Sequence, residues 1–193
     1  SSSAASDVYK RQLYGGFVRE DESLKEAANR VLYQCTGIKN PYMRQVGAFG
    51  EIDRDPGDRV ISIAYCALIN ATDYNHQAME ENDLQWLELD HLEELYGDHQ
   101  KMVQLALEQL RKLLNNAPIS FSLLPKLFTL TQLQHVHEAI LGTEVDKRNF
   151  RKRIKQVDFI EQTSLIDKVT SKRGALLYRF NKQAYKDCSV YKL

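Results

Sequence analysis

The sequence predicts an α/β (α+β) domain followed by a winged helix-turn-helix domain, on the evidence of its length, its charge distribution and its apolar periodicity. Its 193 residues suit two small domains, and 43% hydrophobic with 27% charged residues is ordinary for a soluble globular protein. Residues 1–117 carry 12 basic and 19 acidic side chains, whereas residues 118–193 carry 14 and 7. This reversal from −7 to +7 indicates two modules with different partners, the basic one facing an anionic polymer, unless surface charge drifted within one domain.

Composition excludes several other protein classes. The three cysteines are widely spaced and form no Cys-x-x-Cys pair, which argues against a disulfide scaffold or a zinc module. No apolar run reaches the roughly 20 residues of a membrane span, and no signal-peptide core is present. We therefore expect a cytoplasmic protein without metal or cofactor.

The first predicted domain covers residues 13–116. Residues 1–12 open with a low-complexity run and are expected to be a non-native or disordered lead, so that the first strands of the sheet are missing. A helix is predicted from Ser23 to its stop at Gly37. Further predicted elements, with Trp86 expected in the core, are strands at Val46–Glu51, Val60–Ile69 and Leu84–Leu89 and a helix at His99–Leu114.

The second predicted domain covers residues 117–193 and begins at a linker that coincides with the charge reversal. It contains one helix from Thr131 to Gly142, on which His135 and His137 diverge too far to share a metal and are expected near the surface. A second helix, Lys147–Val157, follows its cap at Asp146. Strands at Phe159–Gln162 and Ala175–Phe180, joined by a polar loop, would form a wing.

The second helix of this basic domain has the composition of a major-groove reader. Phe150, Ile154 and Val157 repeat at the spacing of a buried face, which directs the charged side chains outward. Double-stranded operator DNA is therefore the expected partner, although most charge runs are only solvated faces. The predicted DNA-binding residues, in the helix and the wing, are Lys147, Arg148, Asn149, Arg151, Lys152, Lys155, Lys172 and Arg173.

The segment from Gly16 to Ile38 resembles a Nudix box, the pattern G-x5-E-x7-R-E-U-x-E-E-x-G-U in which U is aliphatic. Matching positions without a gap are Gly16, Glu22, Arg30, Leu32, Gly37 and Ile38. The three glutamates that bind the catalytic metal in that family correspond here to Val31, Gln34 and Cys35. Because a hard divalent cation prefers anionic oxygen ligands, this departure predicts a Nudix-like binding domain without catalysis.

The basic half adds to the resemblance. Residues 121–130, Asp146–Arg151, Lys172–Gly174 and Leu177–Phe180 are similar to the winged-helix half of Nudix-related transcriptional regulators of the NrtR and AraR types. This resemblance implies a homodimeric regulator, expected to be a repressor of sugar utilisation. It favours the arabinose-responsive AraR branch, with L-arabinose as the first candidate effector and ADP-ribose as the second.

Four polar side chains around a turn are weak candidates for effector binding: Asp53, Arg54, Asp55 and Arg59. A plain polar turn explains them nearly as well. Two other functions stay open from the sequence. One is a working Nudix hydrolase on ADP-ribose or a related nucleoside-diphosphate sugar, and the other is a protein-interaction module whose basic helix meets an acidic partner.

Overall fold

The computed structural model describes residues 11–55, 57–69, 75–114 and 117–187. The chain divides into two compact units, residues 1–67 with 71–106 and residues 68–70 with 107–193. This division falls inside a helix rather than at the predicted linker, whose Asn115 and Asn116 lie outside the described residues, as do residues 1–10 of the expected lead. The domain boundary between residues 116 and 117 stays a prediction.

The first helix of the first unit is α1, Leu24–Thr36, and side-chain capping and a glycine fix its two ends. Ser23 and Glu26 make a capping box, in which each side chain bonds the other residue's backbone N–H. Gly37 ends the helix in the left-handed conformation, at a φ of 71°. The remaining elements are β1 Tyr42–Phe49, β2 Ser62–Leu68, α2 His76–Glu81, a 3-10 helix Leu89–Glu94 and α3 His99–Leu114.

Two predictions for this unit are wrong. Leu84–Leu89 is not a strand, because within the described residues it pairs with no neighbouring strand and leads into the 3-10 helix. Trp86, expected in the core, is 58% exposed. The strand predicted at Val46–Glu51 exists as β1, but it starts earlier, at Tyr42, and pairs with β2 in a two-stranded sheet.

The second unit is a winged helix-turn-helix. After a 3-10 helix at Ile119–Ser122 it contains β3 Phe128–Thr129, α4 Leu130–Leu141, α5 Lys147–Ile154, β4 Ile160–Asp167, β5 Ala175–Phe180 and α6 Lys182–Asp187. The strands form an antiparallel sheet in the order β3-β5-β4. β4 is longer than the strand predicted at Phe159–Gln162, and it continues through a register irregularity between Gln162 and Ile166.

One apolar core joins the helices of this unit to its sheet. Its fully buried members come from every layer: Phe128, Leu133, Phe150, Ile154 and Phe159. Phe121 stacks on Phe180 with a ring-centroid distance of 4.3 Å. The core therefore fixes α5 and the two long strands in one body.

His137 corrects another expectation, because it is buried rather than near the surface. Only 4% of it is exposed, and its ring lies edge-on to Phe150 at a centroid distance of 5.1 Å. Nδ1 lies 2.9 Å from the Leu133 carbonyl oxygen, which requires the tautomer that donates from this nitrogen. Burial lowers the pKa of this imidazole, so the neutral ring behaves as part of the core.

Candidate functional site

Helix α5 is held on the core by its apolar side and capped at its first turn. Phe150 and Ile154 are 1% and 2% exposed. The Asp146 carboxylate accepts the Asn149 backbone N–H at 2.7 Å, which satisfies one of the unpaired donors at the helix start. A rigid helix of eight residues is thus presented with its polar side outward.

The outward side of α5 is a continuous cationic surface. All six predicted DNA-binding residues of this helix region are exposed: Lys147, Arg148, Asn149, Arg151, Lys152 and Lys155. Five of them, with Asp146, line an open depression of about 660 Å³. Arg153 is exposed as well. The sequence prediction omitted it, although it lies in the same basic run.

The wing consists of β4, β5 and the loop between them. Lys168, Lys172 and Arg173 are exposed on this loop. The Asp167 carboxylate accepts the backbone N–H groups of Val169 at 2.8 Å and Thr170 at 3.1 Å. The Thr170 hydroxyl also donates to it, and this bond is the main reason that the pKa of Asp167 lies below its usual range. The loop is therefore a defined turn that displays cations.

In the first unit, the residues that match the Nudix box hold the loop before α1 onto the helix. The Arg30 guanidinium donates to both Glu22 oxygens, at 2.8 and 2.5 Å, and to the Phe17 carbonyl oxygen at 2.9 Å. These charge-assisted bonds lower the pKa of Glu22 from 4.5 to about 2. A Cβ on Gly16 would lie 2.8 Å from the Val31 side chain, so the loop approaches α1 too closely for alanine.

No anionic oxygen is present at the three positions that the resemblance to a Nudix box aligns with metal-binding glutamates, Val31, Gln34 and Cys35. Val31 packs against the loop, and the Gln34 side-chain oxygen accepts a bond from Arg30 at 3.3 Å. Cys35 is 4% exposed, and burial raises the pKa of its thiol. Across the described part of the chain, no group of three or more His, Cys, Asp or Glu side chains is placed to hold a metal ion. The side chains at this site do not fit a magnesium cluster.

The four candidate effector residues lie around one turn, and three of them, Arg54, Asp55 and Arg59, make hydrogen bonds within the chain. Arg54 forms a bidentate pair with Asp98 at 2.8 and 2.9 Å, which ties the turn to the start of α3 and lowers the pKa of Asp98. Asp55 accepts the backbone N–H groups of Gly57 and Asp58. Asp53 and Arg59 are exposed, with Arg59 donating to the Glu51 carbonyl oxygen at 3.3 Å.

Comparison with known proteins agrees with both halves of this description. The NUDIX domain profile matches residues 3–106, and the profile of the NrtR DNA-binding winged helix domain matches residues 120–180. An ADPR-responsive transcriptional repressor of Acinetobacter baylyi is 37% identical over 177 residues, which are 90% of this chain and 70% of that protein. The chain belongs to the NrtR family of Nudix-related transcriptional regulators.

Solved structures support the NrtR assignment. NrtR of Shewanella oneidensis in complex with a 27mer DNA superposes with a TM-score of 0.75 at 30% identity, over 92% of this chain and 81% of that one. A second structure of Shewanella oneidensis NrtR gives a TM-score of 0.67 at 31% identity, over 86% of this chain and 77% of that one. A MutT/nudix family protein from Enterococcus faecalis, at 23% identity, shares the fold with a TM-score of 0.60.

A curated enzyme is also similar to the first half of the chain. The ADP-ribose pyrophosphatase of Methanocaldococcus jannaschii is 29% identical over 93 residues, which are 48% of this chain and 54% of the enzyme. The names of these relatives mention ADP-ribose rather than a free sugar. They give no support to the expected arabinose-responsive branch. Among the described residues, no helix is long and apolar enough to cross a membrane.

Proposed function

We propose that this NrtR-type regulator is a transcriptional repressor that binds operator DNA as a homodimer and leaves it when ADP-ribose binds the Nudix domain. The observation that carries the proposal is the exposed cationic side of α5 on a winged-helix core, in a chain similar over 92% of its length to an NrtR solved with DNA. Two copies related by twofold symmetry would meet the two halves of a palindromic site.

The basic residues divide into two roles by their place on the winged helix. Arg148 and Asn149 lie in the first turn of α5, where a recognition helix meets base edges. Lys152 lies in the last turn of α5 and Lys155 directly after the helix, and Lys172 and Arg173 lie on the wing, where cations reach phosphates. Lys147 and Arg151 extend the same surface. Phosphate contacts set affinity and register, whereas base contacts set sequence preference.

ADP-ribose replaces L-arabinose as the first candidate effector, because the relatives' names favour it. Among the candidate residues, Asp53 and Arg59 are exposed, whereas Arg54 and Asp55 are half-buried and bond Asp98 and the loop backbone, so the first two are the better candidates for a ligand. A cation such as Arg59 suits the diphosphate of ADP-ribose, and a carboxylate such as Asp53 suits a ribose hydroxyl.

The proposed Nudix domain senses its ligand without hydrolysing it. The similarity to an ADP-ribose pyrophosphatase favours the hydrolase as the second candidate function. The side chains of Val31, Gln34 and Cys35 argue against the hydrolase. They supply no carboxylate to bind the divalent cations that neutralise phosphates and activate water. The third candidate function is a protein-interaction module whose basic helix binds an acidic protein. Such a module would show no preference for an operator sequence over other DNA.

The test begins with an operator selected by the full chain from a pool of randomised duplexes. We expect ADP-ribose to weaken binding to this duplex by about 5- to 150-fold, the usual range of allosteric coupling, and L-arabinose to leave it unchanged. By reciprocity, the duplex should weaken ADP-ribose binding by the same factor. Equal binding to selected and scrambled duplexes would contradict the regulator, and release by arabinose alone would contradict the effector.

A further inference from the structure

The tip of the wing carries an apolar side chain that the fold does not use. Val169 is 96% exposed, although turn positions usually hold Gly, Asn, Asp or Ser. Asp167 fixes this turn by accepting the N–H groups of Val169 and Thr170. The valine is therefore held outward by a defined backbone, and it gains nothing from burial within its own chain.

Apolar side chains continue from the tip along the wing. Ile166 is 54% exposed and Leu165 51%, both at the end of β4, and Leu176 on β5 is 43% exposed. Ile166 lies close over Gly174, where an added Cβ would be 2.8 Å from its side chain. The wing is thus a hairpin with several exposed apolar side chains next to its tip at Val169.

Cations surround this apolar tip. Lys168 is its neighbour in sequence, and Lys172 and Arg173 lie on the returning side of the same loop. A complementary partner has anionic groups on both sides of a narrow, less polar floor. The minor groove of a DNA duplex has this arrangement, since phosphates border a groove about 6 Å wide whose floor is sugar and base edges.

The position of the wing in the domain also points to DNA. β4 enters the same core as α5, through Ile160 and the pair Phe150 and Ile154. The apolar tip is therefore carried by the same rigid unit as the cationic surface of α5. A duplex whose major groove is occupied by α5 presents a minor groove directly beside it.

We propose that Val169 enters the minor groove beside the major-groove site of α5, with Lys168, Lys172 and Arg173 on the bordering phosphates, and that it selects A·T pairs there. The inference rests on the proposed DNA-binding function. Its physical basis is the 2-amino group of guanine, which projects into the minor groove. Valine methyls would cover this donor without offering it an acceptor, so a G·C pair is disfavoured.

The experiment compares wild type with Val169→Ala and Val169→Thr in the full chain, using the selected operator and fluorescence anisotropy at several salt concentrations. Threonine keeps the branched shape and adds one polar group, so it separates apolar contact from shape. We expect both variants to bind about tenfold more weakly, because an apolar contact worth one valine is lost. The slope of log affinity against log salt should stay unchanged, whereas Lys172→Ala should reduce it by about one.

A second arm changes the DNA. The base pairs under the wing, located by hydroxyl-radical footprinting, are changed from A·T to G·C or to inosine·C, which lacks only the minor-groove amino group of G·C. Wild type should bind the G·C duplex more weakly and the inosine·C duplex about as well as the original. Val169→Ala should not distinguish them.

Several results would overturn the wing inference. One is unchanged operator affinity in both Val169 variants, and another is equal wild-type binding to G·C and inosine·C duplexes. A third is a change in oligomeric state without a change in DNA affinity. In each case the proposed function survives if wild type binds its operator selectively. Thermal melts should match wild type, because Val169 is almost fully exposed.

Discussion

At the scale of single residues, the ion pair between Glu22 and Arg30 holds the loop before α1 onto the helix. Both Glu22 oxygens accept from the guanidinium, and Arg30 also reaches the Phe17 carbonyl oxygen. These contacts need no metal. Glu22 and Arg30 therefore have a structural role in this chain, whatever the role of Val31, Gln34 and Cys35, which the resemblance to a Nudix box aligns with metal ligands.

The low pKa of Glu22 predicts a pH dependence of stability. Since folding lowers this pKa from 4.5 to about 2, the ion pair stabilises the fold fully above pH 4.5 and loses its effect as the pH falls toward 2. Glu22→Gln should therefore melt below wild type at pH 7, and this difference should shrink over that window. Thermal melts from pH 7 to acid check it.

The exposed Glu20 in the same turn supplies the control, because Glu20→Gln should change the melting temperature little at any pH. A wild-type and Glu22→Gln difference that stays constant from pH 7 to acid would contradict the role assigned to the ion pair.

Phe150 carries a second prediction at this scale. It is 1% exposed and contacts His137, so Phe150→Ala should lower the free energy of unfolding by about 3–5 kcal/mol. Urea denaturation of the full chain measures the loss. The neighbouring, exposed Asn149→Ala is the matched control and should change it by less than about 0.5 kcal/mol. Equal stability of the two variants would show that α5 is not anchored by this ring.

At the scale of elements, local signals predicted the starts of the longer helices, but they missed the short helices α2 and α6 and placed the end of α5 at Val157 instead of Ile154. Ser23 and Gly37 bound α1, and Asp146 caps α5, as their side-chain chemistry requires. The strand predicted at Leu84–Leu89 failed, because an apolar alternation specifies a strand only when a partner strand lies beside it. The burial of His137 was missed for a similar reason, since it depends on how α4 packs against α5.

The two proposed roles on α5 predict different responses to mutation. Arg148→Ala should weaken operator binding by about 1–3 kcal/mol and relax sequence preference at one position. Lys152→Ala should weaken all duplexes alike and reduce the salt slope by about one. Anisotropy titrations on the operator, its single-base variants and scrambled DNA separate these responses. Loss of sequence preference in Lys152→Ala with none in Arg148→Ala would reverse the assignment.

At the scale of the whole molecule, the order of the two modules and their charges could be predicted from the sequence, whereas the ligand could not. Two features of the sequence indicated a regulator: the change from an acidic to a basic half, and the resemblance of residues 16–38 to a Nudix box. The family assignment confirms the regulator. The identity of the effector depends on a few side chains whose contacts cannot be read from the sequence. The turn at residues 53–59 shows the difficulty, because Arg54 is paired with Asp98 across 44 positions of sequence.

The whole chain should show no metal-dependent hydrolysis of ADP-ribose. With magnesium or manganese, turnover should fall far below the usual enzyme range of roughly 1–1000 per second. The reason is that Val31, Gln34 and Cys35 provide no carboxylates to bind the metal. Phosphate release after coupled phosphatase treatment measures it, with a catalytic Nudix pyrophosphatase as the positive control. Turnover within that range would establish the hydrolase instead.

The central claim is that α5 reads DNA, and Arg151→Glu tests it most directly. Arg151 is exposed in the middle of this helix, so charge reversal should abolish operator binding while the fold and ADP-ribose binding stay intact. The measurement is a salt titration of wild type and variant on operator and scrambled DNA, with Lys101→Glu, at an exposed position of α3, as the charge-matched control. The account predicts loss of operator binding only in Arg151→Glu. Operator affinity equal to that of wild type in this variant would contradict it.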